Sequence, residues 1–348
     1  MKVGIIGCGG IAPLHIEAFK RTNNVEVVVL CDLAIDRAKI MAQKYKINKI
    51  YSDYMEMLEK ENLDILDICT PTSTHKKIVC DVAKEVPAIL LEKPMAKDVG
   101  ECDEIIKELE KNKTKICIGH SQIFHPKIQK IKSLVNSPDF DLYSLKTSLR
   151  ASFEILQKHN LIAPWTVTPQ QKGIIWEVCS HHAYLQLYFL KDISEVYALG
   201  GKNKYPVYDD FSVLLRTKED RYGLIEISWT AKEFDIVYEA RDKNGRRLEL
   251  QWEYDYLLEK SRYPEYSKGL VIKNMLSDEK RIINKWANFT NQFIYKRKYS
   301  PTYNLIKEYI NSLENNLPSP VSAEDGRRTV KLLECIEKSL DEKKPIPF

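Results

Sequence analysis

One short segment limits the possible folds of this chain more than any other feature of its sequence. The residues Gly7-Cys8-Gly9-Gly10-Ile11-Ala12 follow an apolar run from Lys2 to Ile6 and open a helical pattern that continues to Phe19. A continuous apolar run of this length is typical of a strand that is buried on both faces. The pattern therefore predicts a strand, a tight glycine turn and a helix, in that order.

The glycine turn has the spacing G-x-G-x-x-A, in which each small residue has a physical task. Gly7 allows the tight turn, Gly9 lets the backbone approach a pyrophosphate, and Ala12 allows the helix to pack closely on the strand. Gly10 and Ile11 complete the loop, behind which the start of the helix offers N–H groups to an anion. This context favours a dinucleotide site over a glycine turn that is only structural.

Asp32 ends the second apolar run, about 20 residues beyond the glycine turn, and predicts which dinucleotide binds. A carboxylate at this place accepts hydrogen bonds from the adenosine ribose hydroxyls and repels a 2′-phosphate. The sequence therefore favours NAD as the cofactor. NADP is the less favoured alternative, because Arg37 lies close enough in the sequence to meet a phosphate.

Strand and helix patterns alternate through the first third of the chain. Helical patterns occupy most of the segments between the predicted strands 2–6, 25–31, 63–69, 88–91 and 115–118. Such alternation is the signature of a doubly wound parallel sheet. We therefore predict that residues 1–120 form an α/β Rossmann domain that binds NAD.

After residue 120, strand-like stretches follow one another, with one long predicted helix, Ile174 to Leu190, among them. The predicted strands are 142–153, 193–199, 211–217, 222–229, 236–241 and 247–252. Asn244-Gly245 is a strong hairpin signal between the last two. Since 348 residues suggest about two domains, we predict that 121–348 form an α+β domain with a large, mostly antiparallel open sheet.

Charge and cysteine content exclude several classes of protein. The net charge of +4 is far from the one-sided charge of a nucleic-acid binder. The eight cysteines form no C-x-x-C pair and several lie in apolar runs, which favours reduced, buried thiols in a cytoplasmic protein over disulfides or a metal site. No apolar run reaches the length of a membrane span.

Beyond these patterns, the chain resembles the glucose–fructose oxidoreductase / inositol dehydrogenase / rhizopine-catabolism (Gfo/Idh/MocA) family along nearly its whole length. The matching segments are Asp67-Ile68-Cys69-Thr70-Pro71-Thr72-Ser73-Thr74-His75, Leu91-Glu92-Lys93-Pro94, Gly119-His120, Phe124-His125-Pro126, 210–216, 226–229 and 320–326. The resemblance implies a hydride transfer between nicotinamide and a CH–OH group of a sugar-like substrate.

The resemblance also implies roles for single residues. The family segment beside the nicotinamide half of the cofactor is matched here by Thr70, Pro71, Thr72 and His75. Glu92 stands in the E-K-P motif, and Lys93 matches its catalytic lysine, which also touches the cofactor and the substrate. Beside the cationic ring and partly desolvated, Lys93 is expected to have a lowered pKa and to shuttle or stabilise the hydroxyl proton.

The family's second catalytic element is a D-x-G-x-H stretch on a long helix, and it reads Glu177-Val178-Cys179-Ser180-His181 here. On one continuous helix, a spacing of four residues puts Glu177 and His181 on the same face. The resemblance therefore implies that His181 is the general base, facing the substrate, and that Glu177 orients it. The alternative is a structural histidine. Glu177 and Cys179 depart from the family's Asp and Gly, which leaves the substrate open.

Further candidates for the substrate pocket each have a structural alternative: His125, Arg150, Trp165 and Lys97. Trp165 either stacks on a sugar ring or belongs to the core. Arg150 either pairs with a carboxylate or phosphate of the substrate or lies on the exposed face of a strand. His125 either contacts substrate or ends a helical turn before Pro126.

Residues 254–299 depart from the family pattern. They are rich in tyrosine, and 279–298 contains six basic residues and one acidic residue. Three interpretations stay open: a subunit interface, a lid over the substrate, or, least favoured, a basic amphipathic helix that contacts an anionic membrane or a lipid-linked sugar. Because the family usually buries its open sheet face between subunits, the resemblance implies a homodimer or homotetramer.

Together, these features predict an NAD-dependent dehydrogenase. Its substrate is expected to be a secondary alcohol of a sugar, a cyclitol or a sugar derivative, sugar nucleotides included. One alternative is a redox-assisted, NAD-dependent glycosidase, a reaction that some relatives perform. The other is a non-catalytic sugar or nucleotide sensor that retains the cofactor fold, which the altered helix motif suggests.

Overall fold

A computed structural model of the chain describes residues 1–158, 162, 164–169, 173–252, 256–260 and 300–348. These residues form two compact units. The first comprises 1–125 and 300–334, and the second comprises the described residues from 126 to 260 together with 335–348. The predicted division into 1–120 and 121–348 differs from this arrangement, because residues 300–334 belong to the first unit.

Six parallel strands form the sheet of the first unit, in the order β3-β2-β1-β4-β5-β6. They are β1 (Lys2–Ile6), β2 (Glu26–Cys31), β3 (Lys49–Tyr51), β4 (Ile65–Ile68), β5 (Ala88–Leu91) and β6 (Lys115–Ile118). The strand order reverses beside β1, and ligands of such sheets bind beyond the carboxyl ends of the strands at this switch point. The predicted Rossmann fold is confirmed.

Five helices connect these strands, one after each of β1 to β5. They are α1 (Ala12–Lys20), α2 (Ile35–Tyr45), α3 (Tyr54–Lys60), α4 (His75–Val82) and α5 (Val99–Asn112). Asp53 and Asp98 accept hydrogen bonds from backbone N–H groups at the starts of α3 and α5, as N-cap residues do. The turns before α3 and α5 are therefore held by side-chain caps.

The second unit contains an eight-stranded sheet in the order β13-β12-β11-β7-β10-β9-β8-β14. The strands are β7 (Leu142–Ser152), β8 (Ile193–Gly201), β9 (Asp210–Thr217), β10 (Tyr222–Ser228), β11 (Thr230–Asp242), β12 (Arg247–Gln251), β13 (Tyr256–Lys260) and β14 (Ile346–Pro347). All neighbours pair antiparallel except β7 and β10. The predicted α+β fold is confirmed, including the hairpin at Gly245, whose φ is 85°.

The helices of the second unit are α6 (Pro126–Val135), α7 (Phe153–Lys158), α8 (Gly173–Glu177) and α9 (Cys179–Leu190). The prediction of one continuous helix over 174–190 was wrong. The break lies at Val178, where the N–H of His181 donates to Val178 O (3.1 Å) and the Ser180 hydroxyl donates to Glu177 O (3.2 Å). The i→i−4 bond from the N–H of Val178 to Ile174 O (3.0 Å) is still present, whereas the N–H of His181 bonds three residues back, so the irregularity is confined to the predicted catalytic motif.

Two further helices, α10 (Pro301–Glu314) and α11 (Ala323–Glu342), follow. The side chains that α10 buries are Thr302, Leu305, Ile306, Tyr309, Ile310 and Ser312. The Tyr309 hydroxyl donates to the Ile89 carbonyl of β5 (2.9 Å). Before α11, the N–H of Ile118 in β6 donates to Val321 O (3.1 Å). These contacts with β5 and β6 are why 300–334 belong to the first unit rather than the second.

Most of the atypical stretch 254–299 lies outside the described residues. The segment 279–298, for which three interpretations stay open, lies outside them entirely. Its described part, β13, pairs antiparallel with β12 and forms one edge of the second sheet. Among the described helices, none combines the length and the apolar character that crossing a bilayer requires.

Candidate active site

The glycine turn after β1 has the backbone geometry that a dinucleotide loop needs. Gly7 has a φ of 94°, and a Cβ atom there would lie 2.7 Å from the carbonyl oxygen of Cys69. Around Gly9 and Gly10, in contrast, a Cβ atom would meet nothing within 4 Å. Gly7 is therefore required by the fold, whereas Gly9 and Gly10 leave open space beside the first turn of α1. Phosphate oxygens fit such a space at a helix N-terminus.

The start of α1 follows the prediction. Ile11 is the N-cap residue, and Ala12 is fully buried against the sheet. The first N–H groups of a helix have no acceptor within the helix, so they are available to an anion. A small residue at position 12 lets the helix approach the strand closely enough to direct these groups over the loop.

Asp32 holds the loop as well as the expected ribose position. Its two carboxylate oxygens accept hydrogen bonds from the backbone N–H groups of Cys8 and Ala34, both at 2.8 Å. A carboxylate has further lone pairs beyond these two bonds, so it can still accept from a ribose hydroxyl. Arg37 lies exposed on α2. This arrangement suits NAD better than NADP, since the fixed negative charge disfavours a 2′-phosphate.

The turn after β4 is tied to the turn after β5 by one buried histidine. His75 lies between the carbonyl oxygens of Thr70 and Pro94, with each ring nitrogen 2.9 Å from one of them. Burial lowers the pKa of His75, and the two carbonyl acceptors partly offset this effect because they favour a proton on each ring nitrogen. His75 was predicted to contact the cofactor, but with no exposed surface it connects backbone turns instead.

Thr70, Pro71 and Thr72 form the surface of the turn after β4. Pro71 is exposed, and Thr70 and Thr72 are half-buried. The Thr74 hydroxyl donates to Pro71 O at 2.8 Å, and its oxygen lies 2.8 Å from the Thr70 hydroxyl oxygen. The turn is therefore fixed locally and presents its side chains beyond the carboxyl end of β4, where the fold class binds its ligands.

The Glu92-Lys93-Pro94 turn leaves the carboxyl end of β5. The N–H of Glu92 donates to Ile68 O (3.0 Å), and the N–H of Gly119 donates to Leu91 O (2.7 Å), so both neighbouring strands fix it. The Lys93–Pro94 peptide is cis. Glu92 and Lys93 are both half-buried. Lys93 therefore lies at the same sheet edge as the glycine loop and the Thr70 turn.

His120, directly after β6, was not predicted as a site residue. It is buried, and burial together with the charge of Lys93 lowers its pKa to about 3. A neutral imidazole consequently lies near the lysine of the E-K-P turn. The sequence signal was the pair Gly119-His120 itself, which belongs to the segments that resemble the family.

A second polar cluster was also not predicted. His15 of α1 is fully buried, with Nδ1 2.9 Å from Asp67 Oδ2 and Nε2 3.0 Å from Glu92 Oε1. Cys69 Sγ lies 3.6 Å from His15 Nδ1. Although these groups are of the kind that bind metals, hydrogen bonds account for their closeness. A signal existed, because Asp67 interrupts an apolar strand and a buried carboxylate needs a partner.

The second unit carries the other predicted catalytic residues. Glu177 is the last residue of α8 and His181 lies in the first turn of α9, and both are half-buried. Cys179 between them is fully buried. His182 is buried against the Tyr238 ring, with the centroids 5.8 Å apart, in the environment of a packing residue. The proposed pairing of Glu177 with His181 stays a prediction.

The remaining pocket candidates lie apart in the two units. Lys97 is exposed and pairs with Glu101 at 2.9 Å in the first unit. His125 ends a short 3₁₀ turn before α6, and its N–H donates to Gln122 O (3.1 Å). Arg150 lies exposed on β7 and pairs with Glu233 at 2.8 Å. The backbone of Trp165 lies in the 3₁₀ turn Pro164–Val167, and its side chain is outside the described residues.

A doubly wound sheet with an open glycine loop, an acidic residue at the end of β2 and a lysine turn at the same edge defines a nicotinamide-dependent oxidoreductase. Residues 1–120 match the model of the GFO/IDH/MocA oxidoreductase family with its NAD-binding Rossmann fold. Residues 147–247 match the model of that family's C-terminal domain. The chain therefore belongs to the Gfo/Idh/MocA family, which confirms the resemblance.

Curated relatives extend over much of the chain. A myo-inositol 2-dehydrogenase from Thermotoga maritima is 24% identical over 99% of this chain and 98% of its own length. A D-apiose dehydrogenase from Paraburkholderia graminis is 22% identical over 74% of this chain and 69% of its own. The predicted enzyme class, an NAD(P)-dependent dehydrogenase acting on a CH–OH group, is confirmed.

Solved structures share the whole fold at low sequence identity. The WlbA dehydrogenase from Bordetella pertussis, solved with NADH and UDP-GlcNAcA, has a TM-score of 0.80 and 17% identity over 100% of this chain and 97% of its own. The scyllo-inositol dehydrogenase from Lactobacillus casei, solved with NAD(H) and scyllo-inositol, has a TM-score of 0.77 and 13% identity over 100% and 98%. These structures show the fold, and the match of residues 1–120 to the family's NAD-binding domain confirms NAD as the predicted cofactor.

Proposed function

We propose that this chain is an NAD-dependent dehydrogenase that oxidises a secondary alcohol of a sugar, a cyclitol or a sugar derivative, or reduces the corresponding ketone. One observation carries the proposal. The open glycine loop, the fixed Asp32 carboxylate, the Thr70 turn and the Lys93 turn all lie at the carboxyl edge of one parallel sheet. This set provides for the pyrophosphate, the ribose and the reacting end of one dinucleotide.

The residues of the first unit fit NAD without rearrangement. Gly9 and Gly10 leave space for the pyrophosphate, and Asp32 is held by two backbone N–H groups in a fixed orientation for the ribose. Thr70, Pro71 and Thr72 would line the nicotinamide half. Bound nicotinamide supplies a hydride acceptor, which no protein side chain provides.

The chemistry left to the protein is the proton of the substrate hydroxyl. While the hydride leaves the carbinol carbon, a base must take the proton from its oxygen, and a positive charge must stabilise the developing negative charge there. We assign the base to His181, the orienting carboxylate to Glu177 and the positive charge to Lys93. His120 stays neutral at working pH because burial and the charge of Lys93 lower its pKa, so it does not compete as a cation.

The substrate class is supported by the relatives and not by a described pocket. Two curated relatives are named for a cyclitol and for apiose, and the structural relative WlbA was solved with a UDP-linked sugar. We therefore propose a polyhydroxylated ring, free or nucleotide-linked. Arg150, His125 and Trp165 stay candidates for its recognition, Arg150 for a carboxylate or phosphate.

Calorimetric titration of the purified protein with NAD⁺, NADH and NADP⁺ tests the cofactor half of the proposal. We expect both forms of NAD to bind and NADP⁺ to bind at least about tenfold more weakly, since one charge clash is worth about 1.4 kcal/mol or more. A spectrophotometric screen of sugars, uronic acids, cyclitols and nucleotide sugars then seeks the substrate. Absence of NAD(H) binding would contradict the proposal.

Catalysis is distinguished from sensing by two substitutions. Lys93→Ala and His181→Ala should each lower kcat by about 10²-fold or more and leave NAD⁺ binding in place. Lys107→Ala, at an exposed position of α5, is the matched control and should leave kcat unchanged. If neither catalytic variant lowers turnover, the assigned roles are wrong. A cofactor that copurifies and shows no net turnover would instead favour the redox-assisted glycosidase.

We also propose a cytoplasmic homodimer or homotetramer. All eight cysteines are free thiols, as suits a reducing compartment. Leu199 of β8 and Leu214 of β9 are 55% and 47% exposed on the second sheet, and apolar side chains in such a position favour a subunit interface. Light scattering coupled to size exclusion measures the oligomeric state, and a monomer at micromolar concentration would contradict this part.

A further inference from the structure

The buried cluster around His15 joins three elements of the first unit. His15 comes from α1, Asp67 from β4 and Glu92 from the turn after β5. His15 and Asp67 are 0% exposed, and the Glu92 side chain is 12% exposed. Buried charged groups are costly unless they are paired and hydrogen-bonded, so a cluster of this kind needs a reason beyond stability.

The geometry assigns a charge to the imidazole ring. Both ring nitrogens lie within hydrogen-bond distance of carboxylate oxygens, at 2.9 Å from Asp67 and 3.0 Å from Glu92. An ionised carboxylate only accepts hydrogen bonds, so each nitrogen must carry a proton. His15 is then an imidazolium shared by two carboxylates. Burial is the largest single effect and lowers the pKa of His15, but the charges and hydrogen bonds of Asp67 and Cys69 together outweigh it and raise the pKa well above the ordinary value.

The Glu92 carboxylate is also confined on a second side. A Cβ atom on Gly119 would lie 2.7 Å from Glu92 Oε1, the oxygen that accepts from His15. The other oxygen, Oε2, lies 3.2 Å from the N–H of Lys93. Glu92 is thus enclosed by the His15 ring, the backbone of Gly119 and the first peptide of the lysine turn.

We infer that His15 is a positioning residue for Lys93: by sharing two N–H groups between Asp67 and Glu92 it fixes the Glu92 carboxylate, and with it the turn that carries the lysine. This inference rests on the proposed role of Lys93 in hydride transfer. His15 itself is fully buried, so it acts through Glu92 and does not touch the substrate.

Removing the imidazolium has a defined consequence. Burial raises the pKa of Glu92, but the hydrogen bond and charge of His15, together with the charges of Lys93 and His75, outweigh burial and hold it below the ordinary value. Without His15, the remaining charged or titratable groups near Glu92 are Lys93, His75, His120 and the Asp67–Cys69 pair. Glu92 then takes up a proton at higher pH than before or pairs with Lys93, and in either case the fixed carboxylate that holds the lysine turn is lost.

The test compares His15→Asn with Tyr309→Phe in the full-length enzyme. Tyr309 is as buried as His15 and donates a hydrogen bond to Ile89 O in β5, the strand that leads into the Glu92 turn. Tyr309→Phe therefore controls for the loss of a buried hydrogen bond. His15→Asn should lower kcat by about tenfold or more and move the acid limb of the kcat–pH profile to higher pH. The Kd for NAD⁺ should change much less than kcat. Tyr309→Phe should leave the acid limb in place.

Gly119→Ala provides a second variant in case His15→Asn does not fold. Its Cβ pushes on the same carboxylate from the opposite side, so it should reproduce the kcat loss without removing the imidazolium. In addition, ¹⁵N NMR of the cofactor-free protein should show both His15 ring nitrogens protonated at neutral pH. The His15 signal is identified by its absence from the spectrum of His15→Asn.

The outcomes separate the two claims. If the wild-type protein binds no NAD(H), the proposed function fails, and the NMR result still decides the charge on His15. If the wild type turns over substrate but His15→Asn and Gly119→Ala affect kcat and the acid limb no more than Tyr309→Phe does, only the positioning role is overturned. A single protonated ring nitrogen in His15 would also overturn it.

Discussion

At the scale of single residues, Gly7 is the position where the fold depends most directly on glycine. With a φ of 94° and a Cys69 carbonyl 2.7 Å from the position of a Cβ atom, Gly7→Ala combines backbone strain with a backbone clash. We expect a loss of about 1–3 kcal/mol in the free energy of unfolding, together with weaker NAD binding. Urea denaturation and calorimetry measure the two effects.

Gly10→Ala is the matched control, because a Cβ atom there meets nothing within 4 Å and the φ is not in the left-handed region. It should leave stability nearly unchanged, while the added methyl group reduces the space for the pyrophosphate. Equal destabilisation by both substitutions would contradict the assignment of Gly7 to the fold and Gly10 to the ligand.

His182 predicts a specific loss of stability in acid. Burial lowers its folded pKa to about 3, below the unfolded value, so the unfolded chain takes up a proton that the folded chain does not. The contribution of His182 to the free energy of unfolding is fully present above about pH 6.5. Below that pH it falls by about 1.4 kcal/mol per pH unit, down to the folded pKa. His182→Phe should remove this share of the slope between pH 7 and pH 5.5 in urea titrations. An unchanged slope would contradict it.

The sequence predicted the residues whose chemistry follows a local spacing and missed those whose partners are remote. Gly7 and Asp32 each stand at a fixed distance from a strand end, so their spacing suggests a role for them, whereas the role of Lys93 follows from the resemblance to the family's E-K-P motif. His15 and Glu92 are 77 residues apart in the chain, and only the pairing of β1 with β4 and of β4 with β5 brings their elements together. His120 was missed for the same reason.

At the scale of elements, α9 is held on the second sheet by a buried amide. Gln186 Nε2 donates to Leu145 O at 3.2 Å and to Leu224 O at 3.1 Å, which lie on β7 and β10. Gln186→Leu should lower the free energy of unfolding by about 1–3 kcal/mol, because a buried polar network loses its donor. Gln157→Leu, the same change at an exposed position, should have little effect. Thermal unfolding compares them.

Elements with a clear period were predicted well, and an element whose backbone changes pattern was not. Buried strands such as β4 and β5 and the Gly245 hairpin follow from apolar runs and a turn signal. The break at Val178 has no proline or glycine to announce it. Two hydrogen bonds accompany it, from the His181 N–H and from the Ser180 hydroxyl, and no periodicity reveals them.

At the scale of the whole molecule, residues 300–334 should respond to NAD together with 1–125. A ligand that binds only the folded state stabilises the unit that binds it, by about 2.7 kcal/mol at 100 times Kd. Hydrogen exchange of the full-length protein should therefore show NAD-dependent protection in α10 as well as in the first sheet. Protection confined to residues 1–125 would contradict the assignment of α10 to this unit.

The return of the chain to its first unit could not be read from the sequence. A helix with one buried face is indicated by the spacing of Leu305, Ile306, Tyr309 and Ile310. The spacing does not indicate which sheet that face covers. Its partner is set by contacts such as the bond from Tyr309 to Ile89, across 220 residues of chain. The position of 300–334 late in the chain favoured the second domain, but their contacts place them in the first unit.

The ribose-binding role that we propose for Asp32, added to its hydrogen bonds within the fold, would limit how this protein can be re-engineered or diverge. Its carboxylate fixes the N–H groups of Cys8 and Ala34, so a substitution that admits a phosphorylated ribose also releases the phosphate-binding loop. A change of nucleotide preference would thus pass through an intermediate that binds neither cofactor well, unless a second substitution restores the loop first. The preference for NAD in this chain would therefore be coupled to the stability of the glycine loop, so a single substitution would not change it without cost.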